Sequence, residues 1–251
     1  MSLRGKAILV TGAGSGIGAA TAVQAAREGA HVALLGRRTG ALAETLSAMG
    51  PEGYDDVLAI PTDVTDPQAV DEAATTVLER FGGVDGLVNN AGIGRFAPIG
   101  DADLKDLQYL FDLHVRGPVQ LIQRCLPSLR ERRGAIVNVS SVAGQLAAPN
   151  RSFYGLTKAA VNHLTRSLAR ELAPDVRVNA ILPGPVDTPI YDRVDMPPDR
   201  MRAFRAELEA MTPLGRFGES HEVAGWICRL LDDSGAWVTG VELPIDGGRC
   251  A

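Results

Sequence analysis

Six short aliphatic runs, AILV, HVALL, VLAI, GLVN, AIVNV and VRVNAIL, recur along this 251-residue chain, separated by stretches of helical spacing at about residues 16–28, 40–49, 67–81, 103–130 and 153–172. Runs that are apolar throughout, rather than at every second position, belong to strands covered on both faces. Strands alternating with helices make βαβ units and therefore a parallel sheet. Right-handed crossovers wind such a sheet doubly, so the expected fold class is α/β with helices on both faces. No repeat, low-complexity tract or composition shift marks a boundary, and residues 1–251 read as one domain. The rhythm breaks at about 185–215, a proline-rich insertion with a short amphipathic stretch, which reads as a substrate lid.

Composition excludes several functions. The net charge of −5 gives no general attraction to nucleic acid or anionic membranes. No apolar run approaches the roughly 20 residues that a membrane span needs. The N-terminal MSLRGKAILVTGAG enters a strand-like run without a signal-type cleavage site, so a cytoplasmic location is expected. Cys125, Cys228 and Cys250 lack metal-ligand spacing, so the reading is two core thiols, one tail thiol and no metal.

The first strand runs into Thr11–Gly12–Ala13–Gly14–Ser15–Gly16–Ile17–Gly18, and a helix begins near Gly16. Glycines there let the backbone turn tightly and approach a pyrophosphate, and the helix start offers free N–H groups and a partial positive charge. The alternative is a purely structural turn. Further along, Tyr154 and Lys158 stand four residues apart, on one face of a helix and about one turn from each other. A free phenol titrates near ~10, and an ammonium beside it favours the ionised form. That is the direction a proton-transfer catalyst needs at neutral pH. Taken alone, the pair reads equally as an exposed tyrosine and a solvated lysine.

The ordered set TGAGSGIG, NNAG at 89–92, SSVAG, YGLTK and the PG that follows VRVNAIL resembles the short-chain dehydrogenase/reductase family over essentially the whole chain. In length and pattern it is most similar to 3-oxoacyl-acyl-carrier-protein reductases and related alcohol dehydrogenases. The resemblance implies one Rossmann domain with a seven-stranded parallel sheet, a homotetramer or homodimer, a nicotinamide dinucleotide, and a small carbonyl or alcohol substrate. It implies that Tyr154 exchanges a proton with the substrate oxygen, that Ser141 hydrogen-bonds that oxygen, and that Lys158 lowers the Tyr154 pKa and holds the nicotinamide ribose. Strand alternation turns Ser140 the other way. Gly12, Ser15, Gly16 and Ile17 are implied at the pyrophosphate, Asp63 and Val64 at the adenine, Asn90 and Gly92 beneath the adenosine ribose, and Val186 and Thr188 at the carboxamide. Asp66, before Pro67, is the better helix cap of the two nearby aspartates.

Two positions need separate treatment. The place usually held by an asparagine, which helps hold a relay water for the lysine, carries His114. A neutral histidine can donate and accept through a water, whereas a protonated one would repel Lys158. At the end of the second strand an acid would bind the ribose 2′-hydroxyl of NAD. This chain has Gly36 followed by Arg37 and Arg38, which favours NADP(H), with NAD(H) the alternative.

The substrate pocket is expected between residues 143–151 and the lid, with Ile190, Tyr191, Met196, Phe204 and Met211 suggesting an apolar substrate body. Arg130, Arg132 and Arg133 read either as part of an acyl-carrier docking patch or as a solvated helix terminus. The general expectation is a carbonyl reductase or secondary alcohol dehydrogenase, with an acyl-carrier reductase as the named alternative. A non-catalytic NADP(H)-sensing or scaffold protein is a further one.

Overall fold

The computed structural model describes residues 3–50, 57–191 and 197–251. Seven parallel strands form one sheet in the order β3-β2-β1-β4-β5-β6-β7. In chain order these are β1 (Ala7–Thr11), β2 (His31–Gly36), β3 (Val57–Pro61), β4 (Gly86–Asn89), β5 (Ala135–Val139), β6 (Arg177–Pro183) and β7 (Glu242–Ile245). The intervening helices are α1 (Gly16–Arg27), α2 (Thr39–Ala48), α3 (Pro67–Phe81), α4 (Leu104–Phe111), α5 (Gly117–Glu131), α6 (Ser152–Glu171), α7 (Pro198–Ala210) and α8 (Ser220–Leu231).

Both faces of the sheet are covered. Ile8, Val10, Val32, Leu34 and Val137 pack on one side with α1, α2 and α8, while Leu9, Leu35, Leu87 and Ile136 pack on the other with α3, α5 and α6. β1 and β5 are buried at every position, which is why their sequences show no polar alternation. Cys125 and Cys228 lie in these cores, and Cys250 is partly buried. Asp66 caps α3, its carboxylate accepting from the N–H groups of Gln68 and Ala69 ahead of Pro67.

The stretch expected as one helix over 103–130 is broken. A π-helical turn, Asp112–Arg116, separates α4 from α5, with the Gly117 N–H donating to the Asp112 carbonyl. Pro118 has no N–H to return to the turn before it. Gly117 is needed for a second reason: a Cβ there would meet the Val64 carbonyl oxygen at 2.2 Å. α8 and β7 are elements that periodicity did not single out. β7 has four residues including Pro244, tolerable because it is an edge strand. α7 occupies the expected lid, of which residues 192–196, Met196 among them, lie outside the described residues.

Two buried asparagines tie the layers. Asn138 accepts from Asn89 Nδ2 across β4 and β5 and donates to Thr165 Oγ1 of α6, each at 2.9 Å, and Thr165 donates onward to the Val161 carbonyl. Asn179 donates to the Val238 carbonyl and accepts from the Val241 N–H, a structural role at the sheet end. Replacing Asn138 with Ala leaves the buried Asn89 Nδ2 unpaired and removes the donor to Thr165 Oγ1, and should cost about 2 kcal/mol. Urea unfolding of the two proteins measures it; a change below ~0.5 kcal/mol would show that the ladder contributes little.

Candidate active site

The strand order reverses between β1 and β4, and a cleft opens at the carboxyl ends of the strands there. Gly12 and Gly16 sit at φ +64° and +57°, the left-handed region that glycine enters without strain. A Cβ on Gly12 would meet Ala91 Cα and Asn90 Nδ2 at 2.9 Å, so the glycine turn lies directly against the loop after β4. Asn90 fastens that contact: its Nδ2 donates to the Thr11 carbonyl, and the N–H groups of Asn90 and Ala91 both donate to Thr11 Oγ1. Ser15 precedes α1 without a side-chain cap, leaving the first-turn N–H groups to a ligand. Thr188, on the far wall, stands 3.0 Å from the position a Gly16 Cβ would take.

A cavity of about 550 Å³ runs from this turn to the lid, and every cofactor and catalytic residue expected from the sequence lines it. At its β2–β3 end, Arg37 donates to the Tyr109 hydroxyl at 3.0 Å and lies 3.7 Å from Asp63. Asp63 also accepts from the N–H and hydroxyl of Thr65. The glycine cradle, free helix N–H groups and paired ribose-side charges fit a dinucleotide.

At the other end, Ser141 is extended, its hydroxyl accepting from the Ala143 N–H, and it stands near enough to Tyr154 to lower the phenol's pKa. Ser140 turns away and donates to the Lys158 carbonyl. Lys158 donates to the Val139 carbonyl at 2.9 Å, its nitrogen 5.8 Å from the centre of the Tyr154 ring. Burial lowers its pKa from about 10.5 to about 8, so it remains charged at neutrality.

The tuning of Tyr154 differs from the expectation. Burial dominates and raises its pKa, while the groups that pull it back are the Ser141 hydroxyl and Arg151 rather than Lys158. The lysine nitrogen stands 5.8 Å from the ring centre and is turned toward the Val139 carbonyl. His114 also differs from a titrating relay. Burial, then the charge of Lys158, hold its pKa well below the usual range, and both ring nitrogens are occupied. Nε2 accepts from the Ile93 N–H, which leaves the proton on Nδ1 to donate to Thr157 Oγ1; Thr157 in turn donates to the Tyr154 carbonyl. The ring stands edge-on to Tyr154, 5.7 Å between centres.

The lid supplies Ile190, Tyr191 and Leu208 to the cavity, but neither Phe204 nor Met211 lines it, and Met211 is largely exposed. Phe96, Tyr109 and Arg249 line the cavity without having been expected, since none of them falls within a motif. The arginines at 130–133 lie next to the start of β5, at the end of the sheet away from the cleft. Arg132 is bound to Asp85 and the Gly82 carbonyl, which is the helix-terminus reading.

Residues 12–249 match a family model described as enoyl-(acyl carrier protein) reductase. A 3-oxoacyl-[acyl-carrier-protein] reductase of Thermotoga maritima is 37% identical over 99% of both chains, and a 2-(S)-hydroxypropyl-CoM dehydrogenase of Xanthobacter autotrophicus is 37% identical over 99% of this chain and 98% of its own. The chain belongs to the short-chain dehydrogenase/reductase family. A solved member from Caenorhabditis elegans, described as of unknown function and with cofactor, superposes with a TM-score of 0.91 at 31% identity, covering 98% of this chain and 96% of that one. The chain is thus an oxidoreductase of CH–OH or keto groups in a family that uses NAD(P)(H). Among the described residues no helix is long and apolar enough to cross a membrane, and no cluster of side chains could hold a metal.

The Lys158 shift has a measurable sign. Between pH 8 and 10.5 the unfolded chain keeps a proton on this lysine that the folded chain has released, so the group's contribution to stability rises with pH. The stability of native protein relative to Lys158→Met should therefore increase by up to roughly 3 kcal/mol over that interval, with tyrosine and cysteine titrations cancelling in the difference. A flat difference would mean that Lys158 titrates as it does in water.

Proposed function

We propose that this chain is an NADP(H)-dependent carbonyl reductase or secondary alcohol dehydrogenase in which Tyr154 is the acid and base. The observation that carries this reading is that Ser141 and Tyr154 line the same end of the cavity, close enough for the serine hydroxyl to draw the phenol's pKa down. The Ser141 oxygen is already occupied as an acceptor of the Ala143 N–H, so its own proton is directed outward. A carbonyl oxygen placed there receives two O–H hydrogen bonds, the arrangement that stabilises developing negative charge. When bound, the dinucleotide supplies or accepts a hydride at the carbonyl carbon. Tyr154 passes its proton to the substrate oxygen in reduction and takes it back in oxidation. The neutral phenol favoured by burial is the correct starting form for reduction. The Ser141 hydroxyl stabilises the phenolate left after transfer, and Lys158 stays charged at neutrality 5.8 Å from the ring centre.

His114 is a positioning residue in this scheme. It links the Ile93 N–H to the backbone of Tyr154 through Thr157 and so holds the phenol at its height in the cleft. NADP(H) is favoured by Arg37 and Arg38 at the end of β2, where Gly36 offers no carboxylate to repel a 2′-phosphate. Residues 1–251 act as one domain, with 185–215 as the lid. The similarity to the 3-oxoacyl-[acyl-carrier-protein] reductase of Thermotoga supports an acyl-carrier substrate as the alternative, but the basic cluster at 130–133 does not, because it lies away from the cavity mouth. A non-catalytic dinucleotide sensor has no physical need to gather Ser141, Tyr154 and Lys158.

NADPH oxidation over a panel of ketones, quinones and acyl thioesters tests the reading. Tyr154→Phe should lower turnover by at least ~100-fold while NADPH affinity is retained; residual turnover near the native level would remove Tyr154 from its role, and tighter NADH than NADPH binding would reverse the cofactor assignment. His114→Asn should lower kcat several-fold without moving the pH–rate profile between about pH 6 and 8, because the histidine is already neutral there. A displaced acid limb would instead show that His114 titrates during turnover.

A further inference from the structure

The substrate end of the cavity holds two guanidinium groups, those of Arg151 and Arg249, that exchange no proton with the substrate. Arg151 immediately precedes α6, and its guanidinium carbon lies 5.2 Å from the ring centres of both Phe96 and Phe204. Phe96 comes from the loop after β4, which a backbone hydrogen bond from Ala97 to Asn150 holds beside the start of α6. Phe204 comes from α7 of the lid. Aromatic faces occupy the flat sides of a guanidinium and leave its in-plane N–H groups free to donate. Arg249 lines the same cavity and, among the described residues, donates to the Leu208 carbonyl at 3.4 Å and Met211 Sδ at 3.9 Å.

The neighbouring arginines are paired: Arg95 with Asp106, Arg205 with Asp187, Arg216 with Glu222. Among the described residues Arg151 and Arg249 form no ion pair, although the charge of Glu207 on α7 reaches Arg151. Burial presses the Arg151 pKa down, and Arg249 adds to that. Among the described residues neither charge has a counter-ion, and two partly buried like charges are costly unless one is brought to them.

We propose that Arg151, with Arg249 beside it, binds a carboxylate carried by the substrate, so that the compound handled at Tyr154 is a keto acid or hydroxy acid. The proposal rests on Tyr154 as the reacting group. A phosphate of the dinucleotide is not the intended anion. Arg37 and Arg38 follow β2, which the order β2-β1-β4-β5 sets three strands, ~14 Å, from β5 and the site after it. A guanidinium fork matches a carboxylate bidentately, and partial burial strengthens the bond. Arg151 and Tyr154 are three residues apart at the start of one helix, so the carboxylate lies only a few bonds from the reacting carbonyl.

The experiment compares 3-oxobutanoate, 4-oxopentanoate and 5-oxohexanoate with their methyl esters in NADPH oxidation, using native protein, Arg151→Gln and Arg151→Lys. At least one acid should exceed its ester ~10-fold or more in kcat/KM. Arg151→Gln should erase that preference by lowering acid turnover at least ~10-fold more than ester turnover, and Arg151→Lys should restore part of it. Esters favoured over acids in the native protein, or acid and ester losing equally in Arg151→Gln, would overturn the proposal. Calorimetric binding of hexanoate and hexanamide to the NADPH-loaded protein decides the matter without turnover. Hexanoate should bind at least ~10-fold more tightly, and Arg151→Gln should abolish the difference. Equal binding overturns the anchor. If hexanoate is preferred while no acid, ester or neutral ketone is reduced, the anchor stands and the reductase reading fails.

Discussion

The close approach of two backbones, the glycine turn after β1 and the loop after β4, is the constraint on which the cleft depends. A Cβ on Gly12 would strike Ala91, and one on Gly18 would lie 2.4 Å from the Gly12 carbonyl oxygen. Absence of side chains permits the approach, but it does not hold it. Thr11 and Asn90 do, through hydrogen bonds that consume the polar groups each strand end would otherwise leave unpaired. With that joint closed, the N-terminus of α1 faces the same space as the end of β5, and a dinucleotide and a proton donor can share one cavity.

Burial then sets the electrostatics at the donor end. Desolvation is the largest influence on His114, Tyr154 and Lys158 alike, and in each case it favours the neutral form. Its effects are unequal because the partners differ. Tyr154 gains a hydroxyl neighbour and a nearby guanidinium, Lys158 a carbonyl that favours its charge, and His114 a second cation that opposes its own. The outcome is one cation, one neutral phenol and one neutral imidazole, and the function proposed above gives the proton exchange to the phenol. A charged imidazole beside Lys158 would have competed for that role.

Much of this was legible in the sequence because it depends on local chemistry. Asp66 with Pro67 announces a helix start; the continuous apolar runs announce a sheet covered on both faces; the spacing of Tyr154 and Lys158 places them on one face of α6. Other features depend on partners far along the chain. The π turn at 112–116 leaves helical periodicity intact and arises where Pro118 removes an N–H and Gly117 must clear the Val64 carbonyl. β7 is too short and too proline-marked to read as a strand alone. Phe96, Leu208 and Arg249 enter the cavity through topology, not motif. The expected direction of the Tyr154 shift came from spacing to Lys158, whereas the result is governed by burial, a property of the folded whole.

The distribution of charge along the cavity fits the same logic. A chain of net charge −5 repels small anions over most of its surface, yet the cleft gathers Arg37 and Arg38 at one end and Lys158, Arg151 and Arg249 at the other. Low-dielectric walls focus such a field inward. A neutral ketone gains nothing from this arrangement beyond the hydroxyls of Ser141 and Tyr154. A ligand bearing negative charge at the spacing of those two ends gains at each, and it is oriented as well as attracted. Orientation matters more, because hydride and proton must reach adjacent atoms of one carbonyl, and a second fixed point on the substrate removes the freedom to present its other face.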